Sequence, residues 1–254
     1  MNPNQLREKM ASGETAIGTF CILPSATVVE ALGVAGLDFV ILDTEHGPLT
    51  IETCEDLVRG AECGGATSII RVGDNRPELV LRALDIGSGG VQVPQVGSRE
   101  EATNTVRAAK YAPLGERGVS IFTRAGAYTG SPDHSQRCNE EQMVVVHIEG
   151  MRAVENIDEI LDVDGLDVIF LGPYDLSQSL GITGQVDDPR VRDTIVKCTA
   201  RAREAGRFVG SYAKDAEMAR WLASIGVQYI ASLVDATGLV LYYRQMIADI
   251  RGGS

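Results

Sequence analysis

Along this chain, short apolar runs rich in β-branched residues alternate with longer segments whose apolar positions recur at helical spacing. The runs predict strands at residues 16–23, 38–43, 67–71, 90–94, 143–148, 168–171, 208–211 and 228–232. The periodic segments predict helices at 4–13, 25–33, 50–63, 75–86, 98–111, 151–161, 188–205 and 215–224, a short polar helix after 172–175, and a last one from 236. Local signals agree with these bounds. Ser25 stands where an N-cap belongs, Ser98-Arg-Glu-Glu101 reads as a capping box, and Glu52, Glu55 and Asp56 lie near the positive end of their helix. Residues 112–141 break the rhythm with several Gly and Pro, and an irregular stretch of that length is expected at a site or an interface.

Eight strands, each followed by helix, in 254 residues predict a (β/α)8 barrel, one domain over residues 1–254. An open doubly wound sheet is the alternative, but no GxGxxG follows an early strand and no GxxxxGK[ST] occurs. In a barrel the working residues stand just past the C-terminal ends of the strands. The second strand runs into Asp43, Glu45 and His46 before Gly47-Pro48 ends it, and the third ends in Arg71. The fifth ends in His147-Ile-Glu149, and the sixth runs into Gly172-Pro-Tyr-Asp175. All of these groups therefore face one rim.

Each rim residue has a chemical reading and a plain one. Glu149 and Asp175, on adjacent strands, offer the hard oxygen ligands that Mg2+ or Mn2+ prefers, or else each pairs with an arginine. Arg71 can grip a carboxylate bidentately, or form a structural ion pair with Asp43 or Asp74. His46, oriented by Asp43, suits a general base near neutral pH, or is a hydrogen-bonded loop histidine. His147 alternates with Glu149 and so points inward with it, either beside the metal ligand or as a filled barrel position. His134, within 112–141, reads as solvated. Of the four lysines, Lys9, Lys110, Lys197 and Lys214, only Lys214 follows a strand near the rim, and it opens a helix where exposure is expected. A Schiff base needs a desolvated lysine in the barrel mouth, so the metal route is favoured.

The composition is ordinary for a globular protein, 44% hydrophobic and 23% charged. A formal charge of -12 argues against nucleic acid as the main partner, while a local cation or metal still permits anionic substrates. No apolar run approaches the ~20 residues that span a bilayer. Five cysteines without a CxxC pair predict reduced thiols rather than a disulfide framework or a zinc site. The start, Met1-Asn-Pro-Asn-Gln-Leu-Arg, lacks a basic-then-apolar signal pattern, so a cytoplasmic protein is expected.

Several motifs, in order and spacing, resemble the HpcH/HpaI aldolases over about residues 14–240. They are Gly18-Thr-Phe, Leu42-Asp-Thr-Glu-His-Gly-Pro48, Arg82-Ala-Leu-Asp-Ile-Gly87, Ala112-Pro-Leu-Gly-Glu-Arg-Gly-Val119, Ile148-Glu149 and Phe170-Leu-Gly-Pro-Tyr-Asp-Leu-Ser177. The resemblance implies a metal-dependent class II pyruvate aldolase acting on 2-keto-3-deoxy sugar acids or 4-hydroxy-2-oxo diacids. It implies that Glu149 and Asp175 bind the divalent metal (Mg2+ or Mn2+, with Co2+ a further option) and that backbone amides of Gly172, Pro173, Tyr174 and Asp175 hold the substrate carboxylate. Arg71 would steady the keto or enolate oxygen, and His46, backed by Asp43, would move protons. Asp85 would reach the site from a neighbouring subunit of a hexamer, a trimer of dimers, whose last helix is exchanged between subunits. Arg124 aligns with an arginine of the family and His147 would face the substrate.

This chain departs from the family in carrying His147-Ile-Glu-Gly150 where many relatives have Gln-Ile-Glu-Thr or Gln-Ile-Glu-Ser, and in the loop Phe122-Thr-Arg-Ala-Gly-Ala-Tyr128. The first expectation is reversible aldol cleavage to pyruvate and an aldehyde. The second is a citrate-synthase-like condensation of oxaloacetate with an acetyl thioester, as in siderophore biosynthesis, for which Arg117 or Arg124 would supply a cationic rim. The third is a barrel kept as a binding protein, against which the full Asp43, His46, Arg71, Glu149 and Asp175 set speaks.

Overall fold

The computed structural model describes residues 4–252. Its eight strands are β1 (Ala16–Cys21), β2 (Phe39–Asp43), β3 (Thr67–Arg71), β4 (Gly90–Val93), β5 (Met143–Ile148), β6 (Val168–Leu171), β7 (Phe208–Ala213) and β8 (Tyr229–Val234). Each pairs in parallel with the next, and β8 returns to β1, closing the barrel. The helices run in chain order from α1 (Gln5–Ala11), α2 (Ala26–Val34), α3 (Ile51–Gly64), α4 (Pro77–Asp85) and α5 (Arg99–Ala109) to α6 (His134–Glu141). They continue with α7 (Met151–Glu155), α8 (Ile157–Leu161), α9 (Pro173–Ser179), α10 (Pro189–Glu204), α11 (Ala216–Ser224) and α12 (Asp235–Ile250). The architecture is the (β/α)8 barrel that the sequence pattern predicts.

Strand alternation sorts the apolar residues into two cores. Phe39, Ile41, Ile69, Met143, Val145, Val168, Phe170, Tyr229 and Ala231 fill the barrel, and Leu6 and Met10 of α1 belong to the same cluster. Val40, Leu42, Ile70, Val91, Val144, Val146, Ile148 and Ile169 face outward and pack under the helices. The same parity carries Asp43, Arg71, Gln92 and His147 to the inner face. Large rings dominate the interior: Phe39 stacks on Tyr229 at 3.9 Å, and Phe170 meets both Tyr229 and Phe20 edge-on at 6.1 Å. Gly18 and Gly210 make that possible, because a Cβ on Gly18 would come within 2.4 Å of the Phe39 ring, and one on Gly210 within 2.8 Å of Phe170 and Tyr229.

Three expectations of local structure change. Residues 112–141 are not all loop, for they contain a turn of 3-10 helix at Arg124–Gly126 and α6. His134, expected to be solvated, is buried, because on α6 it shares a face with Cys138 and packs on the Tyr111 ring at 5.6 Å. The helix expected at 151–161 divides at Asn156 into α7 and α8, and the Asn156 side-chain amide donates to the Gly97 carbonyl at 2.8 Å.

The last helix does not cover the barrel as the others do. Of α12 only Asp235 is buried, while Leu239, Val240, Leu241, Tyr242, Tyr243, Ile247 and Ile250 are exposed. A cavity of about 530 Å3, lined by Ile17, Val28, Leu32, Leu37, Leu233 and Leu239 among others, lies between β1, α2 and the start of α12. Among the described residues no helix is long and apolar enough to cross a membrane.

Candidate active site

Asp43 and Arg71 are register partners at the ends of β2 and β3, so their side chains emerge on one face. The guanidinium donates to Asp43 through Nε at 2.8 Å and Nη2 at 2.5 Å, and its Nη1 lies 3.1 Å from Glu45 Oε2. It also lies over the Phe20 ring at 4.7 Å, so three residues clamp it. Burial alone would raise the Asp43 carboxyl, but the Arg71 guanidinium and the amides of His46 and Glu45 outweigh it and hold it below the usual range.

His46 departs from its expected arrangement. Asp43 Oδ1 accepts from the backbone amides of Glu45 (3.0 Å) and His46 (3.2 Å), not from the imidazole. The ring is 70% exposed, with Glu45 Oε2 at 4.0 Å from Nε2. Because Asp43 already grips Arg71 bidentately, Glu45 is the acid beside this histidine. Glu45 is raised by burial first and by the charge of Glu149, against the lowering effect of Arg71.

Across the mouth, Glu149 Oε1 accepts from the Gln95 amide and Oε2 from His147 Nδ1, both at 2.8 Å. Burial raises this carboxyl, yet the His147 and Gln95 contacts, with Arg71 nearby, keep it lowered overall. Gln95 adopts a left-handed backbone (φ 55) in presenting that amide. Gly172 leaves room for the same carboxylate, since a Cβ there would meet Glu149 Cβ at 3.0 Å. Asp175, in the first turn of α9, is raised by burial and then by the Glu149 charge, and no hydrogen bond relieves it. A cavity of about 500 Å3 touches both acids and is lined also by Gln95, Gly150, Arg152, Gln178 and Ser179.

The donor set suits a hard divalent cation. Among the described residues no three His, Cys, Asp or Glu side chains gather to hold a metal. Two carboxylates lining one cavity, with other positions left to water and substrate, is how Mg2+ is commonly bound. The carboxylate-holding turn is narrower than expected: the Gly172 amide already donates to Ile148 at 3.3 Å, and Pro173 has none. The free N–H groups at that turn belong to Tyr174 and Asp175, in the first turn of the helix.

Three expected residues are not brought to this rim. Asp85 ends α4, just before β4 begins, and binds Arg117 at 2.6 Å. Arg117 in turn donates to Gln142, the residue before β5, so this pair sits where strands start, the opposite end of the barrel. Arg124 pairs with Glu62 and donates to the Ile86 carbonyl at 3.3 Å, also beside helix C-termini. Neither arginine is free to form a cationic rim. Lys214 is partly exposed and paired with Asp187. Lys110, buried and depressed to about 8 by desolvation, donates at 2.7 Å to the carbonyls of Asn139 and Gln142, again at the strand-start end.

Sequence reasoning missed Gln92, which meets His147 beneath the rim, and Tyr229, which donates to Gln92, and gave Glu45 no role. Inward parity was the available signal for Gln92, but a neutral amide in a strand carries no chemical flag.

Fold and rim together are those of a (β/α)8-barrel enzyme with acids, an arginine and histidines gathered at the strand ends. The description HpcH/HpaI aldolase/citrate lyase matches residues 16–240. The 5-keto-4-deoxy-D-glucarate aldolase of Salmonella paratyphi C (strain RKS4594) is 34% identical over 229 residues, 90% of each chain. The crystal structure of an HpcH/HpaI aldolase/citrate lyase family protein from Burkholderia cenocepacia J2315 superposes with a TM-score of 0.93 at 30% identity, covering 98% of this chain and 99% of that one. The citrate synthase SbnG superposes with a TM-score of 0.87 at 30% identity over 97% of each chain. The chain belongs to the HpcH/HpaI aldolase/citrate lyase family. It is a carbon–carbon lyase of the class II aldolase kind, and the family generally depends on a divalent metal.

Proposed function

We propose that this enzyme reversibly cleaves a 4-hydroxy-2-oxo acid, a 2-keto-3-deoxy sugar acid or a related diacid, to pyruvate and an aldehyde, with Glu149 and Asp175 as ligands of Mg2+ or Mn2+. The observation that carries this is that both acids line one open cavity, where Asp175, raised by burial and then by the charge of Glu149, has no hydrogen-bond donor among the described residues. A divalent cation bound there supplies Lewis acidity toward the 2-oxo acid. Arg71, pinned by Asp43, Glu45 and Phe20, presents its remaining N–H groups to the oxygen on which negative charge develops. His46, exposed at the mouth, takes the proton of the C4 hydroxyl as the carbon–carbon bond breaks, with Glu45 beside it to stabilise the imidazolium. The amides of Tyr174 and Asp175 hold the substrate carboxylate.

The assembly we propose is a homo-oligomer, a hexamer by family likeness, in which α12 of one copy covers the β1/α2 cavity of another and Asp85 approaches a neighbour's rim. The exposed apolar face of α12 and the apolar cavity support this. Five unpaired cysteines are in keeping with the cytoplasm.

The likeness to the citrate synthase SbnG favours condensation of oxaloacetate with an acetyl thioester as the second reading. It is the weaker one, because Arg117 and Arg124 are already paired with Asp85 and Glu62. Incubation of pyruvate and metal with a panel of aldehydes, read by adduct mass, tests the first reading. EDTA abolishes adduct formation and borohydride with pyruvate leaves it intact; borohydride inactivation, or free thiol released from acetyl-CoA with oxaloacetate and no adduct, overturns it.

A further inference from the structure

Beneath the rim a line of polar contacts crosses the barrel interior. Tyr229, Gln92 and His147 are all at most 1% exposed, in a core otherwise filled with aliphatic and aromatic side chains. The Tyr229 hydroxyl donates to Gln92 Oε1 at 3.1 Å, Gln92 Nε2 lies 2.6 Å from His147 Nε2, and His147 Nδ1 lies 2.8 Å from Glu149 Oε2. The rings at both ends are fixed, Tyr229 by its stack on Phe39 and His147 by its stack on Phe170 at 4.6 Å.

For a neutral His147 ring the donors and acceptors run in one direction. An amide nitrogen donates and cannot accept, so His147 Nε2 must offer its lone pair and the ring proton sits on Nδ1. An ionised carboxylate accepts only, so Glu149 takes that proton's hydrogen bond. Turning the Gln92 amide over would place its oxygen against the imidazole lone pair, or move the ring proton to Nε2 and leave Nδ1 facing Glu149 without a hydrogen. In the amide orientation that avoids both, Gln92 Oε1 faces Tyr229 and accepts from its hydroxyl.

We propose that Tyr229 and Gln92 are positioning residues that act through His147, holding it as the Nδ1–H tautomer so that Glu149 is fixed with one oxygen anchored and its remaining lone pairs turned to the cation. This rests on the reading of Glu149 as a metal ligand. An outer-shell carboxylate–histidine contact of this kind typically changes metal affinity by ~10–100-fold when removed. In this barrel the histidine is itself oriented from β8, on the far side of the core.

Two measurements on the full-length protein test this, neither of them turnover. Nitrogen-15 spectra of its three histidine rings in the metal-free state give the tautomer of His147, assigned by its loss in His147→Gln. Calorimetry with Mn2+ alone gives the Kd. Tyr229→Phe keeps the ring stack and removes only the hydroxyl. The expected result is a mixed tautomer and a Kd weaker by ~10-fold. In a His147→Gln background, where an amide can donate to Glu149 with no tautomer to choose, Tyr229→Phe is expected to change the Kd little. A Kd unmoved by Tyr229→Phe, or weakened equally in both backgrounds, overturns the proposal. Wild-type protein that takes up no Mn2+ overturns the ligand reading of Glu149 itself, a different result from Mn2+ that binds indifferently to Tyr229.

Discussion

Arg71 illustrates how much of a side chain's role its neighbours fix. The plain alternative for it, an ion pair with Asp43, is what the structure contains, yet that pair is also what would make a rigid oxyanion donor of a flexible side chain. Lys110 shows the converse. Its depressed pKa is the kind that suits covalent chemistry, but its place at the strand-start end gives it only the carbonyls of Asn139 and Gln142 to hold. Burial lowers it from the usual 10.5 to about 8. Its charged form is therefore disfavoured in the folded protein, the penalty is full below pH 8, and it is relieved as pH rises toward 10.5. Between pH 8 and pH 10 wild-type stability to urea should gain ~2 kcal/mol relative to Lys110→Met, which carries no such proton. Parallel urea curves for the two proteins at both pH values would contradict this.

At the scale of elements, the inner face of the barrel couples packing to the site. Gly210 on β7 sits against Phe170 and Tyr229, the two rings that flank His147 and Gln92. Gly210→Ala should lower stability by ~1–3 kcal/mol through overpacking, seen as a Tm lower by several degrees. Gly118→Ala, at a position with open space around it, should leave Tm unchanged. Strand parity was legible here: Phe39, Ile41 and Asp43 alternate inward as the pattern implies, and Asp43 reaches the mouth for that reason. The helix α6 was not legible, because His134-Ser-Gln-Arg-Cys-Asn-Glu-Glu141 has one apolar residue, and its burial comes from His134 packing on Tyr111.

For the whole molecule, α12 is the element that one copy leaves without a home. On the proposed assembly, a chain ending after Gly238 should be monomeric in light scattering, the full chain oligomeric, and the truncated chain should lose the aldol activity that draws Asp85 from a neighbour. A truncated chain of unchanged mass and activity would remove helix exchange from the account. The sequence by itself determined the eight-fold alternation, the face each strand turns inward, and the set of acids, arginine and histidines at the strand ends, because period and register are local properties of a chain. Only the tertiary structure decided which of them meet. It gave Asp43 to Arg71 rather than to the His46 ring, set Glu45 beside that ring, sent Asp85 and Arg124 to the other end, and ran Tyr229 and Gln92 under His147. Those pairings join residues from different strands, and which donor finds which acceptor follows from closure of the barrel, not from spacing along the chain.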